Sequence, residues 1–332
     1  MHRRAIAFAC ALAAFGPAAT AHAANNLGNW DLPQQRNVAQ AGVLPNLPDG
    51  FHGEQSLTSD QLRGALAAIA QRNKVAAVDV PATRISVRLF HKLVVKQLGL
   101  ADLAGSIQLE ARNAGLQPPS VFGNEVVARQ LGLRYDHPSQ DDALELYPTD
   151  TITRAEAAYS LDRVLSRGTG SAYYARQLFA DFKLPAYTPD QLRVIQIAVS
   201  KIGMPYIWAG ETDTASNTYG FQAHGGYDCS GYVWRVFKLS GDPAGQSIKG
   251  RTAAQMAGEI AQSDRVPFES IAPGDLLFFG ASFDSRGSAN VSHVGIALSG
   301  EFMIHSSSQG VYVSSLTESW RRDRFTWARR VL

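Results

Sequence analysis

The sequence contains little cysteine, no long apolar run and no excess of charge of either sign. Two cysteines occur among 332 residues, and Cys10 lies in an N-terminal stretch that we expect to be removed. A disulfide framework within the chain is therefore excluded, and Cys229 needs another explanation. No apolar run approaches the roughly 20 residues that a membrane helix needs, so we expect no transmembrane segment.

The first residues have the pattern of a secretory signal. Arg3 and Arg4 form a basic start, Ala5 to Phe15 is a short apolar stretch, and Ala21-His22-Ala23 offers small residues at the cleavage positions. We therefore expect residues 1–23 to be a signal peptide. The expected destination is the periplasm or cell envelope, or the medium after secretion.

Removing that segment takes away two of the 31 basic residues and none of the 29 acidic ones. The remaining charge is balanced, which gives no reason to expect nucleic acid or an anionic membrane as a partner. The hydrophobic fraction of 45% is enough for a sizeable core, and the length favours two domains.

Composition and periodicity divide the rest of the chain into a helical part and a mixed part. The expected divisions are a linker with one N-terminal helix (24–80), a helical domain (81–168), a second linker (169–188) and a C-terminal domain (189–332). The first helix is predicted over Leu57 to Asn73, with Thr58 or Ser59 as its N-cap. Three runs predict helix ends at left-handed glycines: Leu98-Gly99-Leu100, Ala114-Gly115-Leu116 and Leu131-Gly132-Leu133.

One run in the helical part resembles the S-layer homology (SLH) repeat. Thr153-Arg154-Ala155-Glu156 opens a predicted helix, and Thr83-Arg84-Ile85-Ser86 is a degenerate second copy. The resemblance implies that this region binds a cell-wall polymer through Arg154. An equally weighted interpretation is a helical spacer, with Thr153 as N-cap and with Arg154 and Glu156 as solvated charges.

The pattern changes after Thr188-Pro189-Asp190-Gln191, which predicts the start of a helix running to about Lys201. A second helix is predicted from Cys229 to a glycine at position 241. Short β-like runs follow between turns: Asp275–Phe279, His293–Leu298, Phe302–His305, Val311–Val313 and Phe325–Val331. A helix followed by an antiparallel meander predicts an α+β domain.

The lone thiol lies where it could act as a nucleophile. Cys229 falls in the first turn of its predicted helix, where free N–H groups and the helix dipole favour a thiolate. His293, on a predicted strand, is the candidate that accepts the thiol proton. His305, on the next strand, is the candidate that orients His293. The hairpin at Ser299-Gly300-Glu301 brings these strands together, but the sequence does not fix their register.

Residues 189–332 resemble the NlpC/P60 family of cell-wall peptidases, which has a papain-like fold. The resemblance rests on six runs in order: Gly203-Met204-Pro205-Tyr206-Ile207-Trp208-Ala209-Gly210, Asp228-Cys229-Ser230-Gly231, Arg251-Thr252-Ala253-Ala254-Gln255, Pro273-Gly274-Asp275-Leu276-Leu277-Phe278-Phe279, His293-Val294-Gly295-Ile296 and Ile304-His305. It implies an α+β papain-like domain with Cys229 as nucleophile, His293 as base and then acid, and His305 as the third residue.

The resemblance also implies binding roles for residues around the thiol. Tyr206 and the N–H of Cys229 would bind the oxyanion or substrate, and Asp228 and Ser230 would receive the amino end of a substrate. Arg251 would meet a peptide carboxylate or be a surface residue. Two features are interpreted as core, Trp208 and the 273–279 run. Ala209 replaces a glycine common in the family, with no consequence that the sequence reveals.

The segment from Glu211 to Gly226 is long and polar, and it is expected to form one wall of the cleft or a lid. His224 within this segment is a weaker alternative to His293 as the base.

These observations predict an exported peptidoglycan hydrolase. The resemblance implies cleavage of the γ-D-glutamyl–diamino acid bond of the stem peptide, and a thiol nucleophile would act through an acyl-enzyme without metal or cofactor. Three alternatives stay open: an N-acetylmuramoyl-L-alanine amidase, a non-catalytic wall-binding protein, and a transferase or thioesterase on the same fold.

Overall fold

The structure is a computed structural model that describes residues 28–217, 221–283 and 289–332. The predicted signal peptide and Cys10 lie outside these described residues. Within them, no helix is both long enough and apolar enough to cross a membrane.

The first half of the described chain is helical. Its elements are α1 (Leu32–Gln40), α2 (Ser59–Asn73), α3 (Val87–Gln97), α4 (Ala101–Asn113), α5 (Phe122–Gln130), a 3-10 turn (Ser139–Leu144) and α6 (Arg154–Leu178). Two expectations were wrong here. Helix α1 lies within the expected linker. It packs on the core, where Val38 is completely buried. Helix α6 continues past the expected boundary at residue 168, where Gly168 forms a kink with φ of 56°.

Capping residues and glycines begin and end these helices where the sequence predicts. Thr58 and Gln61 form a capping box at the start of α2. The glycines of the three predicted helix ends, Gly99, Gly115 and Gly132, all have positive φ. Each allows the following leucine to pack back onto its helix.

The second half combines helices with antiparallel strands. Its elements are α7 (Pro189–Ser200), β1 (Glu211–Thr212), β2 (Gly226–Tyr227), α8 (Cys229–Ser240), α9 (Pro243–Gln246), α10 (Ala253–Gly258), β3 (Arg265–Val266), β4 (Leu276–Phe283), β5 (Ala289–Ala297), β6 (Phe302–Ser307), β7 (Gly310–Ser315), α11 (Ser319–Arg324) and β8 (Phe325–Arg329). Six strands form one sheet in the order β3-β8-β4-β5-β6-β7. The predicted α+β class is confirmed, with α8 packed on the sheet at β5 and β6.

A continuous core and direct hydrogen bonds join the two halves. The buried Arg129 of α5 donates to the carbonyl of Gly203 at 2.8 Å and to the carbonyl of Gln309. The Gln309 side chain in turn bonds to the backbone of Arg134 in both directions. Phe179 stacks on Phe302 of β6, with ring centroids 5.7 Å apart. These contacts hold the helical half against β6 and the turn between β6 and β7.

The SLH-like run is structural. The guanidinium of Arg154 is 1% exposed and donates to the carbonyls of Pro45 and Phe51 at 2.9 and 2.8 Å. Glu156 is buried and bonds to His137 at 2.8 Å. Both expectations for these residues were wrong, because neither side chain is solvated or presented to a polymer. Thr153 is the N-cap of α6 as predicted.

Candidate active site

Helix α8 places the thiol at its first position. Asp228 caps the helix by accepting the N–H of Gly231, and Gly241 ends it with φ of 65°. Ser306 of β6 donates to the carbonyl of Tyr227 at 2.6 Å. This bond ties the residues before Cys229 to the strand that carries His305.

The environment of the thiol favours its neutral form. Burial and the charge of Asp228 raise the pKa of Cys229 to about 11, although the N–H groups of Val294 and Ser230 face the sulfur and oppose this. The sequence predicted a lowered pKa from the helix start. That expectation was wrong, because burial outweighs the helix N-terminus.

The structure brings the two candidate histidines together. Nε2 of His293 lies 2.8 Å from Nδ1 of His305. The register pairs Ile296 with Ile304 and Ala297 with Met303, so the histidines are diagonal neighbours on one face of the sheet. A Cβ at Gly295 would lie 3.1 Å from the Cβ of His305. Glycine at that position leaves room for the second imidazole.

A further chain of contacts lies behind His305, and the sequence gave no signal for it. Nε2 of His305 lies 2.8 Å from Oγ of Ser314 on β7, and Arg321 of α11 donates to the same oxygen at 2.8 Å. Glu318 accepts from Arg321 at 2.9 Å. Ser314 and Arg321 belong to none of the motif runs, so only the folded sheet shows that they contact His305 through one shared oxygen.

The histidine pair is neutral. Burial and the charge of Arg321 lower the pKa of His293 to about 4. Burial, His293 and Arg321 lower the pKa of His305 well below its usual value. Since Nε2 of His293 bonds to His305, Nδ1 remains to accept a proton. A neutral thiol can react with a neutral imidazole as its base if the thiol passes its proton to the ring during attack, as a serine–histidine pair does.

A cleft of 640 Å³ opens over the thiol, lined by residues of α8, α10 and β5 and by Tyr206 and Trp208. Trp208 is 72% exposed. Its interpretation as core was wrong, because its ring stands at the rim of the cleft. The buried strand run from Leu276 to Phe279 is core, as expected.

The side chain of Arg251 is hydrogen-bonded to three other side chains of the protein. It donates to Glu211 at 2.6 Å, to Asp228 at 3.1 Å and to Ser230 at 3.0 Å. Arg251 also lines the cleft, so its contact with a peptide carboxylate stays a prediction, whereas its ion pairs contradict a free surface position. The same bonds occupy Asp228 and Ser230, and their role toward a substrate amine stays a prediction.

Ala209 has a strained backbone, which the sequence did not reveal. Its φ is 59°, a left-handed conformation that costs a non-glycine residue about 1 kcal/mol. Its carbonyl accepts from Arg251 at 2.9 Å. The strained turn therefore supports the network around Asp228.

The loop between β1 and β2 is held to the helical half. Gln222 bonds to the backbone of Glu211, His224 and Gly226. The ring of His224 stacks on Tyr147, with centroids 4.1 Å apart. His224 does not line the cleft, so the geometry does not favour it as the base.

The fold and the site together define a class: an α+β protein with a helix-borne thiol against a strand-borne histidine pair, the groups needed for acyl transfer. Residues 203–330 match the family model described as NlpC/P60 family. The matched region contains the thiol, both histidines and the strands that carry them.

Curated relatives are similar over the same region. The probable peptidoglycan endopeptidase LytE of Bacillus subtilis is 30% identical, covering 42% of this chain and 34% of its own length. The gamma-D-glutamyl-L-lysine dipeptidyl-peptidase of the same organism is 31% identical, covering 37% and 34%. The murein DD-endopeptidase MepS/murein LD-carboxypeptidase of Escherichia coli is 35% identical, covering 32% and 50%. The chain thus spans between a third and a half of these relatives.

Proposed function

We propose that this protein is a cysteine peptidase that hydrolyses the stem peptide of peptidoglycan. The observation that carries the proposal is the pairing of His293 with His305 at 2.8 Å on the strands against which Cys229 is packed. The names of the three relatives support peptidoglycan as the substrate.

The reaction follows from the neutral pair. As the sulfur of Cys229 attacks the amide carbon, Nδ1 of His293 takes the thiol proton, and the oxyanion is held by the N–H of Cys229 and by Tyr206. The C–N bond then breaks as His293 gives its proton to the leaving amine. Water, deprotonated by His293, cleaves the thioester and restores the thiol.

We propose the γ-D-glutamyl–diamino acid bond as the target. One relative is named for a γ-D-glutamyl-L-lysine dipeptide, which is chemistry of this class. Export by residues 1–23 also belongs to the proposal, since peptidoglycan lies outside the inner membrane. Wall-polymer binding by residues 81–168 stays a prediction, and it would need a surface other than the buried Arg154.

Mass analysis of products from purified peptidoglycan tests the proposal, with Cys229→Ala as the control. New γ-D-glutamyl termini that depend on Cys229 are expected. Products split at the muramoyl–alanine junction would replace the endopeptidase with an amidase. No Cys229-dependent product from whole wall or soluble muropeptides would contradict a peptidase.

A further inference from the structure

Two arginines of α6 lie side by side at the surface of the helical half. Arg163 and Arg167 are about one helical turn apart, and both guanidinium groups lie beside Gly132. A Cβ at Gly132 would lie 3.3 Å from Nη1 of Arg167 and 3.4 Å from Nη2 of Arg163. Gly132 has a φ of 73°, so glycine both forms the turn after α5 and leaves room for the two side chains.

Neither arginine has a carboxylate partner in the described parts of the chain. Nε of Arg163 is buried there without a hydrogen-bond acceptor. Arg167 donates from Nη1 to the carbonyl of Leu131 at 3.2 Å. Asp162, which is next to Arg163 in the sequence, accepts instead from Asn37 at 3.1 Å. Two positive charges are therefore left together without a counter-charge.

This arrangement is unfavourable unless an anion completes it. Like charges one turn apart on a helix repel each other, and burial and the charge of Arg163 lower the pKa of Arg167. A buried N–H group without an acceptor also loses its hydration without compensation. In the same half of the protein, Arg134 does pair with a carboxylate, that of Glu145. The missing partner of the arginine pair therefore points to an anion from outside the chain.

Aromatic rings connect the arginine pair to the cleft. The ring centroid of Tyr159 lies 5.7 Å from the guanidinium of Arg163. Tyr135 lies 5.1 Å from Tyr159, and Trp30 stacks on Tyr135 at 4.4 Å. Trp30 also contacts His137 at 4.6 Å, and His137 lines a cavity that adjoins the cleft. The arginine pair and the cleft are thus within reach of one polymeric substrate.

We propose that Arg163 and Arg167 form an exosite, a second binding site outside the cleft, for a carboxylate of peptidoglycan. The inference rests on the proposed function, because peptidoglycan carries carboxylates on its stem peptides. A guanidinium presents its N–H groups in a planar fork that matches a carboxylate. A stem peptide next to the one being cut supplies the anion, so the exosite favours intact wall over small fragments.

Binding to insoluble wall tests the exosite without turnover. Full-length Cys229→Ala is sedimented with purified sacculi from which phosphate polymers have been extracted, and Arg163→Gln/Arg167→Gln is compared in the same background. We expect the double substitution to raise the Kd for sacculi about tenfold or more. Sacculi whose carboxyl groups have been converted to methylamides should bind the parent protein equally weakly.

Arg88→Gln/Arg112→Gln is the matched control, because it removes the same charge from exposed arginines of α3 and α4. It should change the Kd by less than about twofold. Equal weakening by this control, or undiminished binding to the methylamide sacculi, would overturn the exosite.

Thermal unfolding excludes a structural role for the arginine pair. Since Arg163→Gln/Arg167→Gln removes a repulsion, it should unfold at a temperature no lower than its parent. A lower unfolding temperature would show that the arginines are structural and would overturn the exosite. Arg163→Lys/Arg167→Lys keeps the charge without the fork, and its affinity for sacculi should be intermediate.

The same measurements separate this inference from the proposed function. Arginine-dependent binding without hydrolysis by wild type would refute the peptidase and keep the exosite. Hydrolysis by wild type, with binding to sacculi that is indifferent to the arginines, would refute the exosite and keep the peptidase. Arginine-dependent binding only to walls that retain phosphate polymers would refute a carboxylate as the anion.

Discussion

Buried histidines lie in both halves of the molecule, and their partners give them opposite properties. In the helical half, His137 bonds to the carboxylate of Glu156 at 2.8 Å, and His91 bonds to Glu125 at 3.0 Å. In the C-terminal half, His293 bonds to His305, another imidazole. The comparison shows how the partner changes the pKa of a histidine when the degree of burial is similar.

The pKa values follow the partners. Burial alone would lower the pKa of His137, but Glu156 raises it above its usual value. No carboxylate offsets burial at His293, whose pKa falls to about 4. The carboxylate partner thus favours the charged form of His137, whereas His293, bonded to an imidazole, is held in its neutral form.

His137 and His293 therefore contribute to stability in opposite directions as the pH changes. His137 has a raised pKa, so its stabilisation is complete below about 6.5 and is lost as the pH rises through its folded pKa. His293 has a lowered pKa, so the unfolded state binds a proton first. Its contribution to stability is lost as the pH falls from about 6.5 toward 4.

The largest expected effect comes from breaking a structural pair. Glu156→Ala should lower the free energy of unfolding by about 3 kcal/mol or more, because it leaves the buried His137 without its counter-charge. Urea denaturation measures this, and Glu156→Gln, which keeps a hydrogen-bond acceptor, should cost less. Equal stability of all three proteins would show that the pair is not structural.

Breaking the catalytic pair should affect turnover instead. His305→Ala is expected to lower kcat about 100-fold, because His293 loses the group that fixes its orientation and tautomer. His305→Asn, which retains an acceptor, should recover part of that loss. In wild type the acid limb of the kcat/KM profile should lie near pH 4. An acid limb near 6.5 in wild type would contradict the neutral, buried base.

Asp142 sharpens the comparison because it is a buried carboxylate with no histidine or arginine bonded to it. Its pKa is raised from 3.8 to about 7, so folding loses stability as the pH rises from about 4 through 7. Asp142→Asn should therefore raise the free energy of unfolding by about 1 kcal/mol at pH 8 and by nothing below pH 4. Thermal unfolding at both pH values checks this, and a loss of stability at pH 8 would contradict it.

The smallest effect is expected behind the catalytic pair. Ser314→Ala removes the oxygen that Arg321 and His305 share, and kcat should fall about threefold to tenfold. Ser314→Thr, which keeps the hydroxyl, is the matched control. An unchanged kcat in the alanine variant would show that Arg321 and Ser314 do not position His305.

Features set by neighbouring residues could be predicted from the sequence. Thr58 is one of the two expected N-caps, the capping box at Thr188 lies where expected, and the helix from Cys229 ends at Gly241 as predicted. Strand positions after residue 275 were also predicted, because alternation and turn residues are local signals. The same signals placed Cys229 at a helix start. They did not predict its raised pKa, which depends on what covers it.

The sequence by itself determined the helix starts at Thr58, Thr188 and Cys229, the strands after residue 275 and the residue types that can carry out acyl transfer. The tertiary structure decided which groups meet: the diagonal register of His293 and His305, the support from Ser314 and Arg321, the burial of Arg154 and the exposure of Trp208. It also placed Asp142 beside Tyr206, 64 positions away along the chain. Helix caps and strand alternation act over a few residues, whereas burial and charge pairing depend on distances in space that only the packed chain fixes.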